Sequence, residues 1–108
     1  MNGHAGEAVE TLTSALTLLR ESSASRYFRA AMLAELADAQ LDLGEAERAL
    51  ASAEESVAEA SATDMHRFEY RARISLARAL LATQGVAGAE RAEQELERAR
   101  VLIEVTGA

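Results

Sequence analysis

The sequence predicts an all-α fold, a stack of antiparallel helical hairpins with about five helices. Three observations predict it. The first is an apolar quartet that recurs as Ala8, Leu12, Ala15 and Leu19; as Met32, Leu36, Ala39 and Leu43; as Ala46, Leu50, Ala53 and Val57; and as Ala92, Leu96, Ala99 and Ile103. Its steps of four, three and four residues place each quartet on one helix face. The second is composition: no proline interrupts the 108 residues, and alanine, the strongest helix former, makes up close to a quarter of them. The third is punctuation, because glycine turns or serine-rich clusters separate most quartets.

Taken in order, the first helix runs from about Glu7 to Glu21 and ends in the cluster Ser22, Ser23, Ala24, Ser25. The second runs from about Arg26 to Leu43 and stops at Gly44, placed for a left-handed C-terminal cap. The third covers roughly Glu45 to Ala60, and Ser61, Ala62, Thr63 and Asp64 then supply N-cap candidates. The fourth lies near Met65 to Thr83. The fifth follows Gly85 and Gly88 and reaches about Val105. With aromatics at 4%, packing must come from close helix approach over alanine, with leucine filling the gaps.

The elements repeat. Leu36-Ala37-x-Ala39-x-Leu41 returns 40 residues later as Leu76-Ala77-x-Ala79-x-Leu81, and Ala8, Leu12 and Ala15 return 38 residues later as Ala46, Leu50 and Ala53. A repeat of two helices every 38 to 43 residues covers nearly the whole chain. Residues 1–108 therefore read as one domain: an unpaired second helix at 6–23, a repeat at 25–62 and another at 64–106. The array opens as though the first half of a repeat were missing.

Leu33, Leu36-Ala37, Leu41 and Gly44, followed by Ala49, Ala53 and Ser56, resemble the large and small positions of a tetratricopeptide repeat. The run from Arg67 to Arg73 leading into Leu76-Ala77, and the ending Leu102 to Ala108, resemble something narrower. They look like the repeats in the C-terminal regions of LuxR-type regulators of the maltose-activator class and of adenylate cyclase homologues. That resemblance implies a right-handed stack in a bacterial signalling or transcription regulator. The chain departs from the pattern where the usual proline is absent and where Ala37 and Ala77 replace glycine at the tight crossing. The last helix also fits two registers.

Composition excludes several function classes. A net charge of −7 opposes nonspecific binding to nucleic acid or an anionic membrane surface. The lack of cysteine removes disulfides, thiol nucleophiles and thiolate metal sites, and fits a reducing compartment. No signal peptide is visible and no apolar run approaches the ~20 residues that span a bilayer, so a cytoplasmic location is expected. All eleven basic residues are arginine, which reads as codon bias.

Chemistry finds no footing either. His4 and His66 belong to no set of three or four ligands at matched spacing, and read as surface histidines near helix starts. Glu90, Glu93 and Glu97 alternate with Arg91, Arg98 and Arg100 as on a solvated helix face. No histidine is placed to activate Ser22, Ser23 or Ser25, and no glycine-rich phosphate loop follows a strand. The expectation is therefore a non-enzyme, with no catalytic residue, cofactor or metal.

Arg67, Arg71, Arg73 and Arg78 form the densest basic patch, near Phe68 and Tyr70. RNA contact is the sharp reading of such a patch, but the acidic balance opposes it, as does Asp38 at the position equivalent to Arg78. If the hairpins stack at the 40-residue spacing, Asp38 and Arg78 are neighbours that pair across the repeat boundary. The resemblance further implies that the first helix of each hairpin lines a concave groove. Ala31, Ala34, Asp38, Leu41 and Asp42 would then face Arg71, Ile74, Arg78, Leu81 and Ala82 across a small apolar floor. Asp38, Leu41, Asp42, Arg71, Ile74 and Arg78 are the candidate partner-binding residues, suited to an amphipathic helix or extended peptide of mixed charge. The carboxylate-clamping set of some family members is absent, since Ala34, Ile74 and Asp38 stand there.

The expected function is noncatalytic protein–protein interaction. Leu12, Leu16 and Leu19 on the first helix, and Leu96, Leu102, Ile103 and Val105 on the last, are read as uncovered end faces that would make a homodimer. Two alternatives are a repeat domain that senses a small molecule and a purely architectural segment of a longer chain.

Overall fold

The computed structural model describes residues 3–19, 26–62 and 66–106. They are all helical apart from one turn, and no strand occurs among them. Five α-helices follow in order: α1 Gly3–Leu19, α2 Arg26–Asp42, α3 Ala46–Ala62, α4 His66–Gln84 and α5 Ala89–Thr106, with a 3-10 turn at Gly85–Gly88 before α5.

α1 begins four residues ahead of the expected start at Glu7. The gain is burial: Ala5 is covered, and Leu16 two turns below Val9 packs with Leu33 and Leu36 of α2. Its expected end at Glu21 lies outside the described residues. α2 stops where Gly44 predicts. Gly44 takes φ +79, its N–H donates to the Leu41 carbonyl (3.0 Å), and the Glu45 N–H donates to the Gln40 carbonyl (2.8 Å). This is the paired reverse bonding of a Schellman cap, in which a Cβ would be strained. The Glu45 carbonyl then accepts the first bond of α3, from the Ala49 N–H.

α3 runs two residues past the expected Ala60. Ser61 and Ala62 are thus helical and do not form the junction, while Thr63 and Asp64 lie outside the described residues. The α4–α5 link is tighter than its two glycines suggested. Gly85 turns the chain at φ +55, and Gly88 sits so close to α4 that a Cβ would come within 2.7 Å of the Leu80 carbonyl oxygen and 2.9 Å of Gln84 Cβ.

Each helix packs on the next described one: α1 on α2, α2 on α3, α3 on α4 and α4 on α5, and α2 also meets α4. The molecule measures 33 × 33 × 19 Å, so its thickness is that of two helix layers. The core lies between α2, α3, α4 and the start of α5, where Ala37, Ala49, Ala53, Ala77, Ala79 and Leu80 are fully buried. Of these only Leu80 is large, so the helices approach over methyl groups, as the low aromatic content requires. Where α3 crosses α2 the contact is polar: Ser56 Oγ donates to the Ala30 carbonyl at 2.6 Å, and Ser52 Oγ meets Gln40 Oε1 at 2.8 Å.

The first helix does not leave the leucine face that its pattern suggested. Leu16 is buried and Leu12 packs beside it, because α2 offers Leu33 and Leu36 in register with them. Leu19's side chain is outside the description. On α5 the expectation holds better: Leu96 and Val105 are exposed, while Leu102 and Ile103 are half-buried.

Candidate functional site

The exposed face shared by α2 and α4 is where four of the six candidate residues, Asp38, Asp42, Arg71 and Arg78, come together. On α2, Glu35, Asp38 and Asp42 recur at i, i+3 and i+7, so their carboxylates line one side of the helix. α4 answers with arginines. Arg78 Nη1 donates to Asp38 Oδ1 at 3.0 Å, and Ser75 Oγ donates to the same oxygen at 2.9 Å. Arg71 Nη1 lies 3.6 Å from Glu35. The pairing expected of Asp38 and Arg78 from the 40-residue spacing is present. A third pair, Arg91 of α5 with Glu54 of α3 at 3.2 Å, crosses in the same sense. In all three the acid belongs to α2 or α3 and the base to α4 or α5.

These carboxylates border an open groove of about 320 Å³ lined by His4, Ala5 and Ala8 of α1, by Glu35, Asp38, Ala39 and Asp42 of α2, and by Arg71 of α4. Of the six candidates, Asp38, Asp42 and Arg71 line it. Leu41 does not: it packs against the core cluster. Ala34, expected in the floor, is buried at 1% exposure. Arg78 stands beside the groove, tied to Asp38, and Ile74 is half-buried on another part of α4. The floor is instead Ala5, Ala8 and Ala39, with α1 as one wall. Glu35 joins the site although the spacing argument passed over it. Asp42 is exposed and carries no ion pair among the described residues, so the groove keeps an uncompensated negative charge.

The basic patch is divided between two neighbours, with Arg71 and Arg78 still exposed and the side chain of Arg67 outside the description. Arg71 and Arg78 turn to α2, and Arg73 turns to α5. There Arg73 Nε donates to Glu69 (2.9 Å) and Nη1 donates to both oxygens of Glu95 (3.0 and 2.9 Å). Arg98 reaches the same carboxylate at 3.4 Å. Glu69 and Glu95 are buried and Arg73 nearly so, with side-chain exposures of 11%, 6% and 13%. Arg73 and Glu95 lie 22 residues apart on opposite sides of the Gly85–Gly88 turn, a spacing that matches no repeat offset and gave no sign of this. Such a charge cluster fixes how α4 sits on α5.

Another largely covered ion pair, Arg29 with Glu59 at 2.6 Å, joins the start of α2 to the end of α3. On the outer side of α5, Arg100 donates to Glu97 and Glu104. Its hydrogen bond and charge hold the exposed Glu97 carboxyl below the usual carboxylate range, and the same contacts raise Arg100. His4 Nδ1 lies 4.0 Å from the Glu7 carboxylate, one turn on. No group of three or more metal-ligating side chains occurs among the described residues. No helix among them is long and apolar enough to cross a membrane. Set against protein-family models, curated proteins and solved structures, the chain matches none of them.

Proposed function

We propose that this chain is a noncatalytic protein-interaction module, a right-handed tetratricopeptide-like stack of helical hairpins. It would take a cation-bearing helix or extended segment of a partner in the groove between α1, α2 and α4. The packing of α2 with α3, α4 with α5 and α2 with α4 supports the stack. The placement of that module in, or beside, a bacterial signalling or transcription regulator rests on the resemblance of its repeats.

The observation that carries the groove reading is its unequal charge. Three carboxylates line α2: Glu35 has Arg71 at 3.6 Å, Asp38 has Arg78 at 3.0 Å, and Asp42 has no ion-pair partner among the described residues. A floor of three alanines admits a backbone or a slim side chain, and an incoming Lys or Arg would complete the pairing that the chain leaves open. An apolar groove without this imbalance would give no preference for charge.

The test is selection of a random 12-residue peptide library on the wild-type chain, followed by calorimetric titration of the recovered peptides. Peptides enriched in Lys and Arg are expected, with binding at least tenfold weaker to Asp42→Arg and weaker again at high salt. Recovered peptides that show no charge preference, or that bind Asp42→Arg as well as wild type, would reject the reading.

A further inference from the structure

The two ends of the slab are finished differently. At one end α1 turns a polar surface outward, with Glu7, Glu10, Thr13, Ser14 and Thr17 exposed and Leu18 the large apolar exception. A terminal helix with a polar outer face closes a stack against further addition. Among the described residues the other end has no such cover. Tyr70, Ile74 and Leu81 share one face of α4 (i, i+4, i+11), and Leu96 and Ile103 share one face of α5 (i, i+7). Arg78 of α4 reaches back to α2 and Arg91 of α5 to α3. At about 100° per residue, Leu96 and Ile103 lie roughly 120–140° around α5 from Arg91, while Tyr70 and Leu81 lie roughly 60–80° around α4 from Arg78, with Ile74 between them and the arginine. Leu81 and Leu96 are 47% and 44% exposed.

We propose that this end is a self-association surface, on which two copies join α4–α5 to α4–α5 about a two-fold axis. A head-to-tail contact would press the apolar strip on the polar face of α1, whereas the isologous contact matches like with like and closes at two. The charges of α5 fit an antiparallel pairing. With the axis midway between Leu96 and Ile103, Leu96 of one copy meets Ile103 of the other. Arg100 then lies about 3 Å along the helix from Glu97 of the second copy, at 1.5 Å per residue. Arg100 already binds Glu97 within its own chain at 2.6 Å, so the exposed Glu97–Arg100–Glu104 run becomes a network shared by both copies. The area stands at the lower limit of a specific interface: an end of 33 by 19 Å offers roughly 600 Å² per copy, against about 600–1,000 Å² per partner for a standard interface. The groove between α1, α2 and α4 stays open in such a dimer, so the two readings stand or fall separately.

Sedimentation equilibrium of the full chain tests this. Wild type is expected to dimerise reversibly. Leu96→Glu should weaken the association at least tenfold, and Leu18→Glu on α1 should leave it unchanged. Because Leu96 is partly exposed, circular dichroism should show Leu96→Glu folded. As a second route, Glu97→Arg and Arg100→Glu should each weaken the dimer and together restore it. A wild-type chain that is monomeric at every concentration overturns the proposal. A dimer that survives Leu96→Glu, that is lost in Leu18→Glu, or that the double charge exchange does not restore also overturns it.

Discussion

Replacing Arg73 by methionine separates a structural charge from a superficial one on the same helix. In the native chain its side chain is 13% exposed and its guanidinium engages two carboxylates that are themselves nearly covered, with contacts of 2.8 to 3.0 Å. Methionine fills a similar volume but strands Glu69 and Glu95 against each other. Removing one member of a buried ion set costs about 3–5 kcal/mol. The partial relief available from Arg98, 3.4 Å from Glu95, puts the expected loss near 3 kcal/mol, at the low end of that range. For 108 residues that corresponds to a fall in melting temperature of roughly 13 °C. Arg78→Ala breaks a pair whose members are 51% and 33% exposed, so solvent screening limits its effect to about 0.5 kcal/mol, or roughly 2 °C. Thermal melts followed by circular dichroism at 222 nm give both numbers. A companion variant, Glu69→Gln with Arg73→Met and Glu95→Leu, removes the charges together and should recover most of the loss. If Arg73→Met costs no more than Arg78→Ala, the Glu69–Arg73–Glu95 cluster is not buried as described and the argument fails.

Two further outcomes follow from the packing. Leu80→Ala, at the one large side chain with no exposure in the central cluster, should cost about 3 kcal/mol, measured by urea unfolding, while Leu18→Ala at 77% exposure should change stability by less than about 0.5 kcal/mol. Gly88→Ala should destabilise by about 1–3 kcal/mol, since its Cβ would meet a backbone oxygen at 2.7 Å; Gly6→Ala, with nothing within 4 Å of its Cβ, should raise the melting temperature in the same assay.

Much of the helical outline was legible because period and punctuation agree. The quartets place α2, α3 and α5, and Gly44 can serve no better purpose than the cap it makes. The Asp38–Arg78 pair was legible from the 40-residue offset alone. What failed did so for identifiable reasons. α2 carries alanine on most of its circumference, at positions 30, 31, 34, 37 and 39, so hydrophobicity cannot say which of its faces is floor and which is core. Ala34 and Leu41 were therefore set in the groove when they lie under it. Arg73 reads as one more surface arginine until α5 brings Glu95 to it, because the burial of a charge is decided by a helix 22 residues away and not by its own neighbours. The early start of α1 escaped because Gly3 and Gly6 are weak helix formers that only tertiary cover by α2 makes worthwhile.

The sense of the cross-boundary pairs has a consequence for how this protein can change in length. Asp38 on the first pair of helices faces Arg78 on the second, and Arg78 occupies the position that Asp38 would have if the halves were copies. Duplicating α4–α5 in the same relation would set arginine against arginine, and duplicating α2–α3 would set aspartate against aspartate. If the proposed stack grew by gene duplication, each new boundary would therefore carry a like-charge pair, a cost of about 0.5 kcal/mol at a site this exposed, which a single charge change would remove.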